Sequence, residues 1–170
     1  MQATLDPVSD ANFTARDRKL LANPPYEKAT IPLTYQRHVV QYHRKEAPGS
    51  ILVDTSERFL YFVLPDGKAV RYGVGVGRPG FDWAGSQTIT RKAEWPGWTP
   101  PAQMLKRRPD LPRFMPGGPE NPLGARAMYL GSTLYRIHGS NEPETFGQAV
   151  SSCSLRQLNA DVYGIYDDAT

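Results

Sequence analysis

Cysteine is nearly absent from this chain, which has one such residue, Cys153, among 170. A single thiol forms no internal disulfide and builds no cysteine-rich zinc site. Histidine is scarce too, at three residues. Two of them, His38 and His43, have no acidic or cysteine neighbours in a ligand pattern, so they read as surface residues and no metal site is expected. No apolar stretch approaches a membrane span, and the N-terminus lacks the apolar core of a secretion signal. Runs of lysine and arginine are short and the net charge is only +3, which gives no footprint for nucleic acid. That mild excess fits an acidic polymer as well as an ordinary solvated surface. The run Gly75-Val-Gly77-Arg-Pro-Gly80 matches G-x-G-x-x-G, yet Pro79-Gly80-Phe81-Asp82 opens no helix, so it reads as strand and turn. No cofactor is expected.

What the chain has in quantity is proline and glycine, 16 and 15 residues, a load that favours short strands and many turns. With 39% hydrophobic and 22% charged residues, the length suits one globular domain. Residues 1–47 read as an N-terminal extension or tether, with a weak helix over Phe13–Ala22 and an alternative edge strand within Ile31–Tyr42. From Ser50 the pattern is strands: Ile51–Asp54 and Phe59–Leu64 as a hairpin, a turn at Pro65-Asp66-Gly67, then Ala69–Val76 and Gln87–Lys92. Residues 95–122 hold eight prolines and little periodicity, so a long loop or lid is expected there. Ala127–Leu130 and Thr133–His138 form a last hairpin about Gly131-Ser132. Asn159 is placed to cap a helix with Asp161 in its first turn and Leu158, Val162 and Ile165 on its buried face.

Chemistry concentrates at the C-terminal end. Cys153 lies in the polar run Ser151-Ser152-Cys153-Ser154, which suits a cleft better than a core, and His138 ends an apolar-alternating strand before Gly139. Histidine is the usual base for a cysteine nucleophile. Its second ring nitrogen would need an acceptor, and a carbonyl in Gly139-Ser140-Asn141 is the nearest candidate.

Those residues also carry a resemblance. Ile137-His138-Gly139-Ser140-Asn141-Glu142-Pro143, continued by Gly147–Ser152, resembles the signature of L,D-transpeptidases of the YkuD type. Asn121-Pro-Leu-Gly124, Leu134–His138 and the strands back to about Pro48 extend it. The resemblance implies a mainly β fold: a YkuD-like β-sandwich or mixed-sheet domain over 48–170, with one short C-terminal helix and the N-terminal extension. It implies acyl transfer in peptidoglycan remodelling. A thiolate attacks the bond between meso-diaminopimelate and the terminal D-alanine of a tetrapeptide stem. An amine on a second stem, or on a protein at the cell wall, then resolves the thioester. The implied setting is the periplasm or cell envelope, so a form beginning at Met1 is expected to be processed or engineered. Carbapenems are the implied covalent inhibitors.

Family members read Ser-x-Gly-Cys-x-Arg, whereas this chain places Cys153 at the glycine, Ser154 at the cysteine and Arg156 in register. Three alternatives stay open: Cys153 as nucleophile one residue early, Ser154 as nucleophile, or a peptidoglycan-binding or regulatory relative without activity. The expected site is Cys153, His138, Ser154 and Gly139 for catalysis. Arg156, Ser152, Ser151, Ser140, Asn141, Trp98 and Tyr135 are expected against substrate. Lys106-Arg107-Arg108 reads either as a solvated loop or as a groove wall for stem carboxylates.

Overall fold

Apolar side chains on both faces of Phe59–Leu64 make this segment the middle of a sheet. In the computed structural model, which describes residues 4–5, 14–22, 32–77, 85–133, 135–140, 149–151, 154–157 and 159–168, it does so. In chain order the elements begin with β1 (Thr4–Leu5), α1 (Ala15–Leu21), a 3-10 turn (Leu33–Tyr35) and β2 (His38–Gln41). Next come β3 (Ile51–Asp54), β4 (Phe59–Leu64), β5 (Lys68–Gly73), β6 (Val76–Gly77), β7 (Ile89–Glu94) and α2 (Ala102–Arg107). Last are β8 (Arg126–Leu130), β9 (Arg136–His138), β10 (Ala149–Ser151), β11 (Ser154–Arg156) and α3 (Asn159–Asp168). The fold is mainly β, as its turn-rich sequence implies.

The first sheet has the order β1-β2-β5-β4-β3 and is antiparallel throughout. Its β3–β4 turn is held by Asp54, whose carboxylate accepts from the Ser56 and Glu57 N–H groups and the Ser56 hydroxyl. Asp66 and Gly67 both take positive φ in the β4–β5 turn, the geometry that Asp-Gly supplies at least cost. Along β4, Leu60 and Phe62 face the main core while Phe59, Tyr61 and Val63 face a second cluster with Val40, Tyr42 and Ala69.

The second sheet, β11-β9-β8-β7, is antiparallel except for the parallel pair β11–β9. The main core joins the two sheets and α3: Leu60, Phe62 and Tyr72 meet Met128, Leu130, Ile137, Leu155, Val162 and Ile165. β10 and β6 form a separate short parallel pair. Among the described residues no helix is long and apolar enough to cross a membrane.

Several expectations need correction. The strand read as Ala69–Val76 ends at Gly73, because Gly75 leaves that sheet and exchanges both backbone hydrogen bonds with Arg156 of β11, at 2.8 and 2.9 Å. β7 runs Ile89–Glu94, two residues later than read, and the proline-rich stretch contains the short helix α2. Asn159 is the first helical residue of α3 rather than its cap, and Leu158 lies outside the described residues. His38 is buried, not superficial, with Nδ1 2.7 Å from the Gln36 carbonyl, whereas His43 is exposed. The strand read within Ile31–Tyr42 forms as β2, and it extends the first sheet beside β5; the outer side of β11 is met by Gly75.

The helix α1 is anchored by a buried carboxylate. Thr14 caps it, with reciprocal bonds to Asp17 in a capping box. Asp17 is fully buried and also accepts from Trp95 Nε1 at 2.8 Å and from both terminal nitrogens of Arg126 at 3.0 and 2.9 Å. Leu20 and Leu21 pack on Trp95 and Ala125. An ion pair this dry contributes most visibly when broken, since one charge is then left buried alone. Asp17→Ala should therefore lower stability by about 3–5 kcal/mol in urea unfolding. Replacing both partners, Asp17→Leu with Arg126→Met, should recover much of that loss. If Asp17→Ala is neutral, the pair does not hold α1.

Candidate active site

The alternation of β9 puts Ile137 in the core and leaves Arg136 and His138 on the opposite face. Gly139 follows, and its N–H donates to the Arg126 carbonyl at 3.0 Å, so the turn after His138 hangs from the start of β8. The His138 residue is only 3% exposed. Its Nδ1 meets the carbonyl of Gly139. A carbonyl only accepts, so Nδ1 carries the proton and Nε2 keeps its lone pair. Burial pushes the pKa from 6.5 down to about 3; the Gly139 bond opposes this, and the Arg136 and Arg156 cations add to it. The ring is thus neutral over the physiological range, held in one tautomer.

β11 brings the C-terminal block alongside. Arg156 stands opposite His138 and Ser154 opposite Arg136 in unbroken parallel register. Arg156 is buried, and its guanidinium fills the space where a Cβ on Gly75 would come within 2.9 Å of Nη2. Gln157 donates its N–H to the His138 carbonyl at 2.9 Å. Ser151 ends β10 beside Gly77, and Ser140 is buried one residue beyond the His-Gly turn. Cys153, Ser152 and Asn141 lie outside the described residues, and with them the approach of the thiol to His138. Tyr135 packs against the main core, three residues before His138.

The loop from Trp95 leaves β7 at Glu94 and returns at Arg126, the end of the sheet that also carries Gly139. Sequence reasoning missed what organises it. Asn121, buried, donates to the carbonyls of Pro96, Met115 and Pro116 at 3.2, 3.3 and 3.0 Å and accepts from the Leu123 N–H at 2.9 Å. Half-buried Trp98 pairs with Met115 through two backbone bonds of 2.8 and 2.7 Å. Met115–Asn121 line an open groove of about 420 Å³, to which His138 and Arg156 do not contribute. Lys106 and Arg107 are exposed on α2, and Arg108 pairs with Asp110 at the surface. Asp17 and Arg126 were missed as well. The Thr14-x-x-Asp17 spacing signals a helix start, but nothing local names the arginine 109 residues away.

Residues 48–170 match the YkuD family, described as the L,D-transpeptidase catalytic domain. The chain belongs to that family. Its relatives among L,D-transpeptidases include the Probable L,D-transpeptidase ErfK/SrfK of Escherichia coli K12, 37% identical over 127 residues, covering 69% of this chain and 40% of the relative. The Probable L,D-transpeptidase YbiS of the same strain is 34% identical over 125 residues, with 69% of this chain and 40% of the relative covered. The chain therefore spans about 40% of the length of these curated relatives. A crystal structure from Brucella melitensis, named a Probable carnitine operon oxidoreductase caia, superposes with a TM-score of 0.58 at 40% identity, over 82% of this chain and 91% of that one.

The buried neutral histidine has a consequence for acid stability. Unfolded, His138 takes up a proton near pH 6.5; folded, it stays neutral down to about pH 3. The unfolded state binds more protons in that window, so the stability contributed is complete above 6.5 and is lost as pH falls toward 3. The slope from this one group reaches at most about 1.4 kcal/mol per pH unit. Urea unfolding across that window should show a shallower pH dependence for His138→Asn than for the parent. Parallel curves would contradict the buried neutral ring.

Proposed function

We propose that this chain is the catalytic domain of a peptidoglycan L,D-transpeptidase, working in the periplasm or cell envelope by cysteine acyl transfer. One observation carries the reading: in a member of this family, the strand-end His138 is held by Gly139 in the tautomer that leaves Nε2 free to accept a proton. The thiol of Cys153 gives its proton to Nε2, and the thiolate attacks the carbonyl joining meso-diaminopimelate to D-alanine. The C–N bond breaks, D-alanine leaves with the proton from His138, and a thioester remains. The amine of a second stem peptide, or of a protein acceptor, attacks the thioester and restores the thiol. An imidazolium here would stand near Arg136 and Arg156, so proton transfer becomes favourable only with the thiolate beside it. Backbone N–H groups around the thiol would hold the oxyanion, a contribution of about 3–4 kcal/mol per donor.

The Brucella structure is named an oxidoreductase. The glycine motif of this chain gives that activity no support: Gly75 bridges to Arg156 and Gly77 pairs with Ser151 as strand, where a dinucleotide loop would open a helix. A second reading rests on β11. Its register is continuous from Ser154 to Arg156, which favours the gap-free comparison that sets Ser154 at the nucleophile position. A serine hydroxyl ionises far less readily than a thiol, so either Ser154 acts as a slow nucleophile or the protein binds stem peptides without turning them over.

Incubation with a carbapenem, followed by intact-mass measurement and peptide mapping, separates these readings. A single covalent adduct on Cys153, abolished in Cys153→Ala, is the expected result. An adduct that survives Cys153→Ala and disappears in Ser154→Ala transfers the role to the serine. No adduct in the parent, with rapid acylation of the double variant Cys153→Gly/Ser154→Cys, would identify a binding protein that has lost its nucleophile.

A further inference from the structure

Residues paired directly across strands share a face of the sheet, as do residues two apart on one strand. His138 and Arg136 therefore lie on one face of the second sheet, away from Ile137, Met128 and Leu130 in the core. The ladder sets Arg91 opposite Tyr129 and Tyr129 opposite Arg136. A row Arg91–Tyr129–Arg136 thus crosses three strands on the His138 face, about 7 Å along from the histidine's own row. In backbone register the row continues to Ser154 of β11, the residue that follows Cys153 in sequence.

Both guanidiniums lie over the same ring, with Arg91 at 4.9 Å and Arg136 at 5.5 Å from the Tyr129 centroid. A cation held by a ring in this way is not consumed as a hydrogen-bond donor, so its N–H groups stay available for an oxyanion. Neither arginine has a hydrogen-bonded or ion-paired partner among the described residues. Arg136 is half-buried, so part of its hydration is already lost and an arriving carboxylate would replace it. Among the described residues the charges acting on His138 are Arg136 and Arg156, both positive, so the described part of this face is cationic around a neutral ring.

We propose that Arg136, backed by Arg91, binds a carboxylate of the stem peptide and thereby sets its register on the sheet. The proposal rests on the stem-peptide reading above and names the group that would be recognised. The planar fork of Arg136 takes the carboxylate in a two-point bond, the charge-assisted geometry that arginine favours. Arg91, at the exposed end of the row, draws the anion in and contributes less to holding it.

Binding can be measured without turnover in the Cys153→Ala/Ser154→Ala protein, using two probes: the L-Ala-γ-D-Glu-meso-diaminopimelate-D-Ala tetrapeptide and the same peptide with its carboxylates converted to amides. The free acid should bind about tenfold or more tightly than the amide form, and Arg136→Gln should remove that preference. If Arg136→Gln fails to fold, Arg91→Gln carries the same test at an exposed position, with a smaller loss of preference expected. A parent that binds both probes equally, or variants that keep the full preference, would overturn the proposal and leave the stem-peptide reading standing. A parent that binds neither probe would overturn both.

Discussion

Arg126 belongs to two parts of the molecule at once. Its guanidinium grips the buried carboxylate of Asp17 at 2.9 and 3.0 Å, while its backbone carbonyl receives the N–H of Gly139 at 3.0 Å. It also lies over the Tyr166 ring of α3, at 5.4 Å. The N-terminal helix, the start of β8 and the C-terminal helix meet at this side chain, and the Trp95 loop joins them through its bond to Asp17. The turn behind His138 hangs from the same residue. The burial that makes the ion pair costly to break also keeps water from competing for it, so α1 is tied into the body of the domain.

The electrostatics of the site follow from its burial. A ring enclosed between Ala127 and Arg156, with two cations nearby, keeps its Nδ1 proton and takes up no second one near neutral pH. That environment disfavours an imidazolium, and it favours any anion arriving on the same face. A thiolate and a substrate carboxylate are both of that kind. Burial lowers the intrinsic basicity of the histidine and the cations raise the benefit of forming an anion next to it, so the two effects work on opposite ends of one proton transfer.

Local structure was readable where a short stretch of chain decides it. The β3–β4 hairpin came from two short apolar runs flanking the polar turn Thr55–Arg58, the β4–β5 turn from Asp66-Gly67, and the face of α3 from Val162 and Ile165. The family resemblance supplied the His-Gly turn, and Gly139 proves to be the residue whose carbonyl meets Nδ1. What sequence could not show was long-range closure. The break after Gly73 exists because Arg156 needs both the backbone bonds and the empty side of Gly75. Burial of His38 follows from β2 joining β5, a pairing that on local evidence ranked behind a solvated tether. Asn121 was visible as part of a motif, but its hold on three carbonyls of the loop is a property of the folded chain.

The central claim is that His138 is a neutral base, protonated on Nδ1 and open at Nε2. Nitrogen-15 NMR of the imidazole, followed from pH 7 to pH 4, tests it most directly. The account predicts a protonated Nδ1, an unprotonated Nε2 and no titration across that range, since the folded pKa is about 3. A midpoint near 6.5, or a ring protonated on Nε2, would contradict it.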